Sequence, residues 1–303
     1  MAERTIGIID ERAGADPLSF RCTAPDALSN LVAVLELTAD RQVRCSAATR
    51  RPLAATVRLV EDVLVAGDYY EGGELIAAFA WPVLLQVGGL AQLAGTRLEL
   101  TSRGQAALAG PSYEALAGLW ARWLRSVSYD ELSRIEAIKG QRKPSTLTSV
   151  PKRRAAVAAG LAAVEPGTWV DVDAMLGILR IQRPSLAVAR SLLALWRLYL
   201  VDSYHGSLGH AGGQAWDVLE GRYALCVLFE YAATMGVIDV AYADPGGARD
   251  DYGGLWGTDY LAWLSRYDGL AAVRVNELGA AILHDPGALP RIGLPVPRPG
   301  ISQ

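Results

Sequence analysis

Cysteine, methionine, phenylalanine and histidine are all scarce in this 303-residue chain, at three each. Cys22, Cys45 and Cys226 are odd in number, widely spaced and form no C-x-x-C pair. That argues against a disulfide framework and against a structural zinc site built on cysteine. They read as small buried thiols in a reducing cytosol. Positive charge is not in excess either: 29 Lys and Arg against 32 Asp and Glu leave a net charge of −3. No global field therefore draws the molecule onto DNA or anionic lipid. The phosphate-loop, nucleophile-elbow and H-E-x-x-H patterns are absent, which removes the commonest sequence signs of nucleotide, serine-hydrolase or zinc-protease chemistry. The opening Met1-Ala2-Glu3-Arg4-Thr5 lacks the basic patch and apolar core of a signal peptide, so the expected location is cytoplasmic. Leu75 to Gly95 has no charged residue and is long enough to span a bilayer. Pro82, Gln86, Gly88, Gly89, Gln92 and five alanines make it only mildly apolar, so a buried helix followed by a strand is expected and no membrane partner.

The chain has what a sizeable core needs: 51% hydrophobic residues and eight tryptophans. Apolar spacing predicts helices from Thr23 to Leu37, from Pro52 to Ala66, from Glu74 to Val87, and after Gly110-Pro111 with Tyr113, Leu116, Trp120 and Trp123 on one stripe. Leu90 to Leu93 and Arg97 to Leu100 read as strands around the turn Ala94-Gly95-Thr96. Thr101 then caps a helix from Ser102 to Leu108. Asp130 to Ile138 reads as helical, and Gly140 to Pro151 as a polar linker. Further helices are expected at Lys152 to Val164, from Asp171 or Asp173 to Leu179, from Ser185 to Leu200 and from Trp216 to Met235. A short strand is expected at Thr168-Trp169-Val170, and further strands at Val237 to Ala241 and Ala271 to Val275. Asn276 caps a last helix from Glu277 to Leu283. The expected organisation is an N-terminal domain over 1–139, a basic linker over 140–151, a second domain over 152–285 and a proline-rich tail over 286–303.

Two places share one design. In Gly89-Leu90-Ala91 … Arg97-Leu98-Glu99-Leu100-Thr101-Ser102-Arg103-Gly104 and in Gly236-Val237-Ile238-Asp239-Val240 … Val273-Arg274-Val275-Asn276-Glu277-Leu278-Gly279, a helix stops at glycine and a strand begins. A second strand then ends in a capping residue, followed three positions on by glycine. The first phrase resembles the second wing strand and its exit in bacterial winged-helix proteins. The second, with Asp268-Gly269-Leu270, resembles accessory winged-helix domains attached to bacterial helicases. The resemblance covers roughly 46–110 and 168–284. It implies a mainly α chain with small β-hairpins, in tandem winged-helix architecture. An insert from Asp244 to Leu270 interrupts the second wing, and no helicase motor motif accompanies it.

Winged-helix proteins place the helix before the wing in the major groove, where cationic and amide side chains reach base edges. Here Leu75 to Val87 has no Arg or Lys, and Trp216 to Met235 has Arg222 against Asp217, Glu220 and Glu230. These helices read as built for burial or for a protein partner. Basic charge lies elsewhere. Arg134 to Arg154 holds seven Lys and Arg (Arg134, Lys139, Arg142, Lys143, Lys152, Arg153, Arg154) against Glu136. Arg50, Arg51 and Arg58 form a smaller group, and Arg97 and Arg103 flank the first wing. Trp216 to Pro286 is acidic, with eleven acids and four arginines.

The reading that follows is a non-enzymatic adaptor without cofactor in a nucleic-acid-associated assembly. Its basic residues would contact DNA phosphates without reading sequence, and its apolar or acidic helices would meet a protein or a second copy. One alternative is a dimeric DNA-binding regulator using Arg50, Arg51 and Arg58. The other is an enzyme using Asp202, His205 and His210, which bracket a glycine-rich loop. Asp250, Asp251 and Asp259 read as loop surface, and Trp120, Trp123 and Trp196 as core.

Overall fold

The computed structural model describes residues 17–72, 75–141, 146–181, 186–201 and 203–291. In chain order its elements are β1 (Ser19–Arg21), α1 (Thr23–Ala39), α2 (Ala54–Glu61), α3 (Ala77–Val87), β2 (Ala91–Ala94), β3 (Arg97–Leu100), α4 (Ser102–Ala109), α5 (Ser112–Arg125), α6 (Val150–Ala162), β4 (Trp169–Asp171) and α7 (Val172–Ile181). There follow a single turn α8 (Leu192–Leu195), a rod α9 over 217–232, β5 (Ile238–Tyr242), β6 (Leu270–Val275) and α10 (Glu277–His284). About 48% of the described residues are helical, and the sheets are small and antiparallel. One has two strands, β2-β3, and the other four, in the order β1-β5-β6-β4. Among the described residues no helix is long and apolar enough to cross a membrane.

The described chain groups into two compact units that interleave along the sequence. The hairpin unit takes Cys22–Tyr129, Glu230–Asp239 and the described residues from Val275 on; the sheet unit takes the rest. The expected division at 140–151 is therefore not how the contacts group. That stretch begins to pack as soon as it is described again. Thr146 is buried, Arg190 N–H donates to its carbonyl, and Thr148 N–H donates to Val188 O.

In the hairpin unit α1 packs against α3, α4 and α5. Leu28, Leu31, Val34 and Leu35 of α1 are buried. Each such side chain contributes roughly 1.5–3 kcal/mol. Every residue of α3 from Ala77 to Leu85 is buried, so this uncharged helix is core all round. Its start is fixed from a distance. The Asp68 carboxylate accepts from the N–H groups of Ile76 (2.9 Å), Ala77 (3.2 Å) and Ala78 (2.7 Å), which otherwise lack intrahelical partners. Trp123 stacks on Tyr231 with ring centroids 5.6 Å apart. The buried Asp239 carboxylate accepts from Thr23 N and Asn276 Nδ2, both at 3.0 Å, tying three chain segments together.

The sheet unit carries the four-stranded sheet, with Phe20 opposite Ala241 and Val170 opposite Val273. Glycine lets α6 approach α7: a Cβ on Gly160 would lie 2.4 Å from Leu179 Cδ2. The α9 rod is π-helical at Asp217–Gly221 and Val227–Ala232 and α-helical between, at Arg222–Cys226.

One order of elements occurs twice. It runs α1, the extended Val43–Cys45, α2, α3, β2, β3, α4, and again, with α8 inserted before α9, α6, β4, α7, α9, β5, β6, α10. In both, the first extended piece pairs with the last strand: Arg44 with Arg97, and Val170 with Val273. The two exits match atom for atom. Thr101 Oγ1 accepts from Gly104 N (3.1 Å) and Asn276 Oδ1 from Gly279 N (2.9 Å). A Cβ on Gly104 would sit 2.0 Å from Leu90 O, and one on Gly279 1.8 Å from Val237 O. Only glycine permits that approach.

Other expectations fail for identifiable reasons. Of the helix expected from Ser185 to Leu200, the described residues hold a single helical turn, Leu192–Leu195, because their backbone is committed elsewhere. Leu147 and Ala189 form a β-bridge, and Val188 N–H donates to Glu220 Oε1 at 2.8 Å. Asp130 to Ile138 reduces to the 3-10 turn Glu131–Arg134. Trp196 is exposed rather than core, and so is Cys22.

Candidate nucleic-acid interface

The basic residues separate sharply by environment. Arg153 and Arg154 lie on the inner face of α6. The Arg153 guanidinium grips Asp130 with two bonds (2.9 and 2.7 Å) and lies 4.8 Å over the Tyr223 ring. Arg154 Nε donates to Glu131 Oε1 at 2.8 Å, and Tyr223 Oη donates to Glu131 Oε2 at 3.2 Å. Arg154 and Glu131 are both fully buried. Burial pulls the Arg153 pKa down, but the bond to Asp130 and the charges of Asp130 and Glu131 outweigh it, so the net direction is up. Burial, together with the Glu131 charge, holds the Tyr223 phenol well above its ordinary range. Arg134 is buried too. The expected phosphate contacts at Arg153 and Arg154 are thereby corrected: these are core cations with carboxylate partners. Arg142 and Lys143 lie outside the described residues. Lys139 and Lys152 remain exposed in the sheet unit.

The hairpin unit is different. Arg44 is directly opposite Arg97 on the ribbon, so two like charges face one side at the closest cross-strand spacing. Both are exposed. The backbone beneath them is locked: Arg44 N donates to Thr56 Oγ1 at 2.9 Å, and Thr56 Oγ1 donates back to Arg44 O at 2.8 Å. Arg50, in the loop leading to α2, holds φ at +62°, a conformation that disfavours a side chain. Its carbonyl accepts from Gln86 Nε2 at 2.9 Å, which anchors the loop to the end of α3. Arg51 is half-buried in the same loop, and Arg58 is exposed on α2. Arg103 is exposed in the first turn of α4, its guanidinium standing over Gly89. The fold thus collects Arg50, Arg51, Arg58 and Arg97 on adjoining pieces of one unit and adds Arg44. The legible signal was the stretch from residue 41 to 60, which holds five arginines and no acid. Arg41, at one end, makes a long ion pair with Glu99 at 3.6 Å.

Neither helix before a ribbon is available to a partner or a groove, a second correction. α3 is interior, and Gly221 to Val240 is buried throughout. Arg222 of α9 is fully buried. It pairs with Asp268 (3.0 Å) and with Asp251 (2.5 Å) from the long insert between β5 and β6. Arg249 joins Asp251 (3.0 Å) to Asp173 on α7 (2.6 Å). Burial raises the Asp251 pKa, yet Arg222 and Arg249 together bring it below its ordinary value. Arg180 pairs with Asp217 and lies over the Trp216 ring.

The loop weighed as enzymatic offers little chemistry. The Ser207 hydroxyl donates to Trp196 O at 2.9 Å. The His205 ring stacks on Trp256, and the His210 ring meets Trp196 edge-on. Asp202 lies outside the described residues. Among the described residues no three His, Cys, Asp or Glu converge as a metal site would require.

No known protein family, curated protein or solved structure gives a match to this chain.

Proposed function

We propose that the chain is a tandem winged-helix protein that contacts nucleic-acid phosphates without reading bases. Its role is that of a non-enzymatic adaptor in a nucleic-acid-associated assembly. The repeated order helix, strand, helix, helix, strand, strand supports the architecture. The observation that carries the function is the exposed Arg44–Arg97 pair, next to Arg50, Arg51 and Arg58 in a stretch free of acids. Like charges set opposite one another lower stability, and a polyanion between them removes that repulsion. The winged-helix mode of base reading puts a polar helix in the major groove. The helix before the hairpin is apolar and interior, so that mode is closed to this unit, and its exposed arginines favour contact with phosphates.

The test is fluorescence anisotropy on labelled duplexes of unrelated sequence across a salt series. Binding should be alike for all of them. Neutralising Arg44 and Arg97 together should weaken all equally and reduce the slope of log K against log salt by about two. A chain that binds no duplex at low salt ends this reading. A strong preference for one sequence, lost on Arg50→Ala or Arg51→Ala, would replace it with the regulator.

A further inference from the structure

Among the described residues, the sheet unit carries an exposed aromatic surface. It is built by two loops, 192–211 and 254–260. Tyr260 is 95% exposed, Tyr204 80%, Trp256 51% and Trp196 43%. Trp196, Tyr204 and Trp256 are held in place. Trp196 lies flat on Gly209, where a Cβ would sit 2.1 Å from Cδ2 of the indole. Its ring meets His210 at 4.6 Å. Trp256 stacks on His205 at 5.1 Å, and Tyr204 meets His205 edge-on at 4.9 Å. Val201 packs against Gly257, joining the two loops. A groove of about 180 Å³ runs between them, lined by Leu200, His205, His210, Leu255 and Trp256. Exposed aromatics that are rigid and contiguous mark a contact surface.

Charge narrows the occupant. Asp259, next to Tyr260 in the chain, is exposed, and so is Asp250 of the same insert. Arg249, in the same insert, is paired with Asp173 and Asp251. The surface therefore suits a segment that offers flat apolar rings and positive charge. Residues 291–303 of this chain, Arg-Ile-Gly-Leu-Pro-Val-Pro-Arg-Pro-Gly-Ile-Ser-Gln, have that chemistry: three prolines in five residues, Arg291 and Arg298, and no acid. Proline-rich segments lose little entropy on binding, and their rings pack into grooves walled by aromatics.

We infer that this aromatic groove receives the proline-rich segment 291–303 of a second copy, with Arg298 set against Asp259 or Asp250. Such a contact joins two different patches, so it closes a dimer when reciprocated and extends into a chain when not.

Sedimentation velocity of the full chain over a concentration series tests this. The wild type should associate as concentration rises, and free peptide 291–303 should compete. Trp256→Ala, Asp259→Lys and Arg298→Glu should each weaken association by about tenfold or more. Asp259 is exposed, so Asp259→Lys leaves the core untouched. Mixing the Asp259→Lys chain with the Arg298→Glu chain should restore association, because one pairing in the mixture is wild type at both positions. A wild type that stays monomeric overturns the inference, even if free peptide binds. So does association that Trp256→Ala and Arg298→Glu leave unchanged.

Discussion

The two copies of the helix–strand–helix–helix–strand–strand order carry arginine in opposite ways. In the first, Arg44, Arg50, Arg58, Arg97 and Arg103 are solvent-facing or nearly so, and two of them oppose each other. In the second, Arg153, Arg154 and Arg222 are buried, each against a carboxylate; Arg180 and Arg249 are paired as well. The same backbone plan thus supports a surface that keeps charge available and an interior that consumes it. Buried pairs hold because both partners are present; removing one strands the other in low dielectric. Exposed arginines contribute almost nothing to stability, so the first copy is free to place them by function.

The sharpest way to break this contrast is Glu131→Ala, which removes the buried carboxylate that Arg154 and the Tyr223 hydroxyl share. Urea denaturation should show a loss of about 3–5 kcal/mol. A loss under about 1 kcal/mol would mean the pair is not a buried network at all.

Next come the matched glycines. Gly279→Ala and Gly104→Ala both force a methyl onto a carbonyl oxygen, and each should cost about 1–3 kcal/mol in the same assay. Unequal effects would show that one exit is more yielding than the other, and weaken the case for a true structural repeat.

Two titrations separate the copies by pH. Burial pushes the Cys45 thiol up to about 12 in the first copy. A raised acid contributes stability in full below its unfolded value near 9 and loses it as pH rises toward 12. Cys45→Ala should therefore flatten the alkaline fall in melting temperature. Asp251 in the second copy has a lowered pKa, so its contribution is present above its unfolded value and is lost as pH falls through the folded one. Asp251→Asn should flatten the acid limb instead, most visibly as proteolysis of the 244–269 insert.

The smallest effect sharpens the comparison most. Arg97→Gln relieves the like-charge pair and should raise stability by a few tenths of a kcal/mol while weakening duplex binding. A drop in stability would show that Arg97 is structural, as Arg154 is.

Local chemistry made much of the fold readable. Thr101 and Asn276, each with glycine three positions on, marked both exits, and the apolar stripe of Leu116, Trp120 and Trp123 marked a core face, because caps and helical periodicity depend on near neighbours. Arg153 and Arg154 misled for the opposite reason. In the sequence they are two more charges in a basic run; only Asp130 and Glu131, twenty-three residues away, make them interior. Leu186 to Leu200 likewise repeats like a helix, yet Val188 N–H donates to Glu220, Arg190 N–H to Thr146 O, and Val188 O accepts from Thr148 N–H.

What the sequence determined by itself was the alternation of helices and short strands, the duplicated exit from the ribbon, and the acid-free arginine stretch from 41 to 60. The tertiary structure alone decided which arginines face water. A charge reveals its role only when its partners are known, and here those partners come from distant parts of the chain.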